Sequence, residues 1–374
     1  MAEHEFPHHS DLIYLNHAGV APWPRRSAEA IRAFADENVR SGARNYPAWT
    51  KVERQLRQRL ARLINAPGID DIALVKNTSE GLSFVAYGLD WQPGDAVIIN
   101  KQEFPSNRVV WESLAERFGV EVRDVDLGAG PSPEAALIAA MDQRVKVLAV
   151  SSVQYGSGLR MDLQALAQAC RRHGILFCLD AIQSVGALRL DVQALEPDFV
   201  IADGHKWMLG PEGIGLFYSR PEARDRLKLT EFGWHTVEDA GNYDRSDWAI
   251  ARSARRFECG SPNMLGIFGL EASLSLLEEI GPDVVEARVL GNARYLIEEI
   301  RRDPDLELLS AAEPGRHAGI VTFRVRGEDP LITHRRLTER NVVCARRGGG
   351  VRFSPHFYNS HEQLAEALRR ATAR

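Results

Sequence analysis

Hydrophobic positions fall into short continuous runs separated by longer stretches with helical spacing. Apolar runs occur at Ala96–Ile99, Val120–Val122, Val145–Val150, Ile175–Leu179, Phe199–Ala202 and Ile214–Tyr218. Between most of them the pattern turns helical, as in Asn107–Phe118 and Leu163–Arg172. Strands apolar on both faces and alternating with helices predict a mostly parallel sheet covered on both sides. Two helices, Pro24–Arg40 and Ala48–Leu63, precede this region. The stretch from Arg224 to Arg256 is aromatic, polar and poorly periodic. After Pro262, long helical stretches run to Arg302. Strands follow at Ile320–Val325, Val342–Ala345 and Val351–Phe353, then a last helix from Ser360. The mixture predicts a second, smaller α+β domain.

Composition narrows the function classes. With 374 residues the chain can bury a large core and accommodate two domains. A net charge of −5 argues against nucleic acid or an anionic membrane as partner. Cys170, Cys178, Cys259 and Cys344 show no Cys-x-x-Cys spacing, which points to reduced thiols and a cytoplasmic setting. No signal peptide and no membrane span are expected. His4, His8 and His9 read as a polar terminus rather than a metal site.

The chemistry centres on Lys206, within Asp203-Gly204-His205-Lys206-Trp207, and on Asp180, 26 positions earlier, within Asp180-Ala181-Ile182-Gln183-Ser184. A lysine amine at one strand end forms a Schiff base with an aldehyde cofactor and later serves as a proton-transfer base. A carboxylate at a neighbouring strand end keeps a pyridine nitrogen protonated, so that the ring accepts electrons from a carbanion. Pyridoxal 5′-phosphate needs this pair. Asn77-Thr78-Ser79-Glu80-Gly81 places hydroxyls and free N–H groups at a helix start, which is an anion site or a plain N-cap.

The run Leu148–Arg220 resembles the class V aminotransferases of the fold-type I pyridoxal phosphate enzymes, a family that includes cysteine desulfurases, selenocysteine lyases and isopenicillin N epimerases. The likeness extends from Leu15 to the C-terminal helix. It implies an α/β fold with a seven-stranded, mostly parallel sheet in a large domain (17–262), and a small C-terminal domain (263–374, with 1–16). The cofactor phosphate is implied at Thr78, Ser79 and His205, with Phe104 stacked on the ring where desulfurases carry a histidine. Gln183 and either Gln154 or Tyr155, with Gln154 preferred, are implied as donors to the phenolic oxygen. Ser261 is implied to reach the phosphate of a partner subunit in a homodimer. Arg352, with Arg346 as a second candidate, is implied to fork onto the carboxylate of a small amino-acid substrate. Asn16 and His17 are further substrate-side candidates. Asp203 stands where desulfurases usually have serine. A carboxylate about 4 Å from a phosphate costs roughly 4 kcal/mol at an effective dielectric near 20, so Asp203 is expected to point elsewhere.

Arg347-Gly348-Gly349-Gly350 has no cysteine where persulfide-forming desulfurases carry one, and Cys344 falls in an apolar strand. The resulting expectation places an aminotransferase first, a carbon–sulfur lyase or epimerase next, and a persulfide-type desulfurase last. A non-catalytic binding protein on the same fold is the rival from another class.

Overall fold

The computed structural model describes residues 3–244 and 246–373. The strands in chain order are β1 (Ile13–Tyr14), β2 (Ile72–Val75), β3 (Ala96–Asn100), β4 (Glu121–Val125), β5 (Val145–Ser151), β6 (Leu176–Asp180) and β7 (Phe199–Asp203). They continue with β8 (Gly215–Ser219), β9 (Leu306–Leu308), β10 (Val321–Val325), β11 (Val342–Val343), β12 (Ala345–Arg347) and β13 (Gly350–Phe353). Seven form the main sheet in the order β2-β8-β7-β6-β5-β3-β4. All neighbours are parallel except those of β8, which runs antiparallel to both β2 and β7. β3 and β5–β8 are buried along nearly their whole length, as their continuous apolar sequences require. β4 is an edge strand with a partly exposed pattern and begins one residue later than its apolar run.

Helices close both faces, and their ends follow the local chemistry. The Asp162 carboxylate caps Leu163–His173 by accepting from the Ala165 N–H, and Gly174 ends the helix in a left-handed conformation. Met264–Ile280 packs against Arg25–Ser41 and Tyr46–Leu63 rather than on the second sheet. Gly281 alone separates it from Pro282–Arg302. The stretch 224–256 has little regular structure: one bridge joins Val237 to Ile250, and a short 3-10 turn begins at Ala254.

The second sheet is antiparallel, β12-β13-β10-β9. β1 pairs in parallel with β11, so Ile13 and Leu15 share an apolar cluster with Phe323, Phe353 and Leu364. This sheet is tied to the loop after β5. The Gly156 carbonyl accepts from Thr322 Oγ1 at 2.7 Å, and the Ser157 carbonyl from Ser310 Oγ at 2.5 Å.

One buried ion pair fixes the segment that leads to Ser261. Arg57 forks onto Glu258 at 2.6 and 2.7 Å and donates to Glu53 and the Ile72 carbonyl. Glu258 also accepts from the Leu74 N–H. Removing Glu258 strips the buried Arg57 of two charged contacts and leaves it Glu53 alone, and breaking a buried pair costs about 3–5 kcal/mol. Glu258→Ala is therefore expected to lose about that much in urea unfolding. A loss under about 1 kcal/mol would show the charge to be solvated.

Candidate functional site

Asp180 ends β6 and Asp203 ends β7, with Lys206 three residues beyond, so adjacent parallel strands deliver all three to one sheet edge. Ligands bind at this edge in open α/β sheets. The cavity there, about 370 Å³, is lined by Asn16, Thr78, Ser79, Phe104, Tyr155, Asp180, Gln183, Asp203, His205, Lys206, Arg347 and Arg352, among others.

The floor is buried and charged. Burial pushes the Asp180 carboxyl up; the Ile182 N–H that it accepts at 3.0 Å opposes this, and the charge of Glu103 adds to it. Burial pulls the Lys206 amine down, partly offset by Asp180 and reinforced by Arg352. Each group thus lies closer to neutrality than in water. Lys206 Nζ lies 5.5 Å from the centre of the Phe104 ring. Phe104 is 40% exposed and meets Tyr155 edge to face at 5.2 Å, so it is a cavity wall and not a core residue.

At the start of Thr78–Gly88, Asn77 caps the helix by accepting from the Glu80 N–H, leaving the buried Thr78 Oγ1 without a partner. Ser79 Oγ reaches Ser106 at 2.9 Å. Arg352 is buried, donates to the Tyr155 carbonyl at 2.8 Å and to Asn16 Oδ1 at 3.3 Å, and keeps a free Nε. Burial and the neighbouring Arg347 bring its pKa down to about 10. Unpartnered buried polar atoms cost about 1–3 kcal/mol each. A hydroxyl at a helix N-terminus, a ring wall and a half-free guanidinium fit a phosphorylated aromatic cofactor and an amino-acid carboxylate.

Several sequence expectations change. Arg346 does not line the cavity; Arg347 does. β12 and β13 pair Ala345 with Arg352 and Arg347 with Gly350. Strand alternation then puts Arg347 on the face of Arg352 and Arg346 on the other. His17 is also off the cavity, fully buried. Its Nδ1–H donates to the Ser354 carbonyl at 2.8 Å, and its Nε2 accepts from the Tyr358 hydroxyl at 2.6 Å. Gln154 is buried behind Tyr155, donates to Glu103 and has a free Oε1, while Tyr155 itself lines the cavity. Asp203 does not point elsewhere: its Oδ1 is 3.1 Å from His205 Nδ1, off hydrogen-bond alignment, inside the cavity. Asp203 ends β7 three residues before Lys206, and the buried strand end leaves its side chain facing the cavity beside His205. Ser261 lies in a separate groove with Lys76, Glu80 and Cys259.

Sequence reasoning missed Arg347, Ser106 and the role of Glu103. Glu103 is a fully buried carboxylate that accepts from Asn100, Asn107, the Ser151 N–H and hydroxyl, and Gln154. The polar set Asn100, Glu103 and Asn107, spaced for one turn and the helix after it, was the available signal.

A mostly parallel α/β sheet with a buried lysine and aspartate at one edge defines a fold-type I pyridoxal phosphate architecture. The sequence matches the family described as Aminotransferase class-V over residues 13–369, and the chain belongs to that family. Pyridoxal 5′-phosphate is the cofactor. A probable cysteine desulfurase of Methanothermobacter thermautotrophicus is 29% identical, the match covering 95% of this chain and 92% of that protein. A cysteine desulfurase of Pectobacterium atrosepticum is 33% identical over 84% of this chain and 78% of its own. The cystine C–S lyase C-DES, solved with its reaction product cysteine persulfide, superposes with a TM-score of 0.90 at 25% identity, over 98% of this chain and 99% of that one.

These relatives overturn the ranking that placed an aminotransferase first and a desulfurase last. Cys344 is indeed buried, its thiol pushed up to about 12 by burial. The loop cysteine is the wrong discriminator, however, because in C-DES the persulfide is a small-molecule product. Among the described residues, no cluster suited to a metal occurs and no helix is long and apolar enough to cross a membrane.

His356 joins the second sheet to this site. Its Nε2–H donates to the Trp207 carbonyl at 3.0 Å and its Nδ1 accepts from the Phe357 N–H, so it is held neutral. Burial lowers its pKa to about 4, against about 6.5 when unfolded. The unfolded chain therefore binds a proton first as pH falls. Stability present above pH 6.5 is lost between about 6.5 and 4, by up to about 3 kcal/mol. Urea midpoints should fall across that window, and less steeply in His356→Gln. Equal slopes would remove His356 as the cause.

Proposed function

We propose that the protein is a carbon–sulfur lyase that cleaves the Cβ–S bond of a cysteine-type amino acid. The observation that carries this reading is the convergence of Lys206, Asp180 and Arg352 on one cavity in a chain whose relatives are named for cysteine and cystine cleavage.

Thr78, Ser79 and His205 would hold the cofactor phosphate, Phe104 the ring face and Asp180 the ring nitrogen. Gln183 and Tyr155 or Gln154 would hold the phenolic oxygen. When bound, the cofactor supplies an electron sink for negative charge at the substrate α-carbon. Lys206 Nζ, shifted toward its neutral form by burial, takes the α-proton. Arg352 receives the α-carboxylate, steadied by Asn16 and the Tyr155 carbonyl, and thereby orients the Cα–H toward Lys206. Phe104 and Tyr155 shield the leaving sulfur, since sulfur packs favourably at aromatic edges.

Sulfur release from L-cysteine or L-cystine, without an added keto acid, is the expected activity. Keto-acid formation only when an acceptor is supplied would instead mean transamination. Borohydride reduction should place the pyridoxyl mass on the Lys206 peptide, and Lys206→Ala should abolish both this mass and turnover. An undiminished mass in that variant would unseat the assignment.

Ser261, set apart from the Lys206 cavity within one chain, is proposed to complete the site of a second copy. Inactive Lys206→Ala and Ser261→Trp proteins should then regain part of the activity when mixed as heterodimers. A fully active monomer in sedimentation would contradict this.

A further inference from the structure

We propose that Glu103 is a positioning residue for a proton: a buried negative charge outside the cavity that acts through Asp180 and keeps one proton between that carboxyl and the ring nitrogen of the cofactor. The inference rests on the placement of the ring nitrogen at Asp180 and holds whichever substrate bond is cleaved.

Glu103 follows β3, is buried and does not line the cavity. Its Oε1 accepts from Asn100 Nδ2 at 2.5 Å, the Ser151 N–H at 2.8 Å and Gln154 Nε2 at 3.3 Å. Its Oε2 accepts from Ser151 Oγ at 2.5 Å and Asn107 Nδ2 at 3.1 Å. Neither asparagine amide can turn round. Asn100 Oδ1 accepts from the Gln102 N–H, and Asn107 Oδ1 from the Trp111 indole N–H, each at 2.9 Å. Fixed donors therefore face both oxygens, which is the setting of an ionised carboxylate. Burial raises the Glu103 pKa, and the bonds from Ser151, Gln154 and Asn107 oppose the rise. Among the described residues no lysine, arginine or histidine forms an ion pair with it. Hydrogen bonds alone hold this charge inside the protein.

Strand register sets where that charge stands. Ser151, which supplies two of the five bonds, is the β5 residue paired with Asp180 on β6, and neighbouring strands lie about 4.8 Å apart. Two carboxylates thus share one buried end of the sheet, and the charge of Glu103 opposes ionisation of Asp180. The other charged groups facing Asp180 and Lys206 are Asp203, with His205 beside it, and Arg352. Cys178, two residues before Asp180, is a buried thiol pushed far up and stays neutral. Asp203 and Arg352 line the cavity and are open to a ligand, whereas Glu103 lies behind it. Its influence on the ring nitrogen therefore passes through Asp180, by making the loss of the proton that the two groups share less favourable.

The test uses pyridoxine 5′-phosphate, which has the ring nitrogen but no aldehyde and so binds without chemistry at Lys206. Calorimetric titration of cofactor-free protein should show about tenfold weaker binding in Glu103→Gln at pH about 8.5, and binding within about twofold of the parent at pH about 5.5. The sign follows from Asp180, whose pKa of about 7 is raised chiefly by burial and further by Glu103, against the Ile182 N–H. At the lower pH its proton is present with or without Glu103. At the higher pH the complex must take up that proton and keep it, which loss of the negative charge makes harder. Glu103→Asp, which keeps the charge, should recover most of the affinity, and in Asp180→Asn the effect of Glu103→Gln should disappear. Equal loss at both pH values would show a purely structural network, and a loss that persists in Asp180→Asn another route; either overturns the proposal, as does no loss. If Asp180→Asn leaves binding unchanged at both pH values, the assignment of Asp180 to the ring nitrogen fails as well. Should Glu103→Gln not fold, infrared difference spectra of the parent and Asp180→Asn decide. A protonated Asp180 carboxyl must persist to pH about 7, and its absence above pH about 5 overturns the proposal.

Discussion

Trp207 is held from four directions, and the position of Lys206 depends on it. Its indole N–H donates to Gln183 at 2.8 Å, tying the lysine loop to the loop that follows Asp180. Its carbonyl accepts from His356 of the C-terminal region. His17 stacks against its ring at 6.3 Å, bringing in the N-terminal segment. The approach of Gly186 and Gly319 requires the absence of a side chain, since a Cβ at either would lie within 2.6 Å of Trp207 atoms. A lysine amine has four flexible bonds. Immobilising the residue beside it is what gives that amine a defined place against Asp180.

The electrostatics of the cavity follow from the same enclosure. Asp180, Lys206 and Arg352 are all buried, and in each case desolvation is the largest influence, drawing the group toward neutrality. Hydrogen bonds and neighbouring charges limit the shift. Glu103 lies behind this set, satisfied by five donors from three segments, and its charge is felt at Asp180. A buried network of this kind tolerates its charge only while all of its donors are present. It thereby fixes the wall that carries Phe104 and Tyr155.

The departures from the desulfurase pattern lie farther out. Phe104 replaces a proton-relaying histidine, and the glycine turn after Arg347 replaces a cysteine loop. Those substitutions first pointed away from desulfurases. The relatives that the chain resembles are nonetheless named as cysteine desulfurases and a cystine C–S lyase. Lys206 and Asp180 lie buried at the floor of the cavity, whereas Phe104 and Arg347 are exposed at its mouth. One loop therefore carries little weight about the family.

Much of the site was legible before folding because strand ends are legible. A continuous apolar run that stops at Asp180 or Asp203 marks the edge of a parallel sheet, and charged residues immediately beyond it can go only to that edge. The same periodicity defined the alternating strands and the helices that flank them. The amino-acid sequence alone thus determined the sheet, the Lys206–Asp180 pair and the Thr78 helix start. Tertiary structure alone decided that Arg347 and not Arg346 faces the cavity, since strand phase depends on the register with β13. It also decided that His17 is an internal brace and that Asp203 is an occupant of the site. Local sequence specifies which residues lie near one another along an element, but which way a side chain points is set by the partner packed against it.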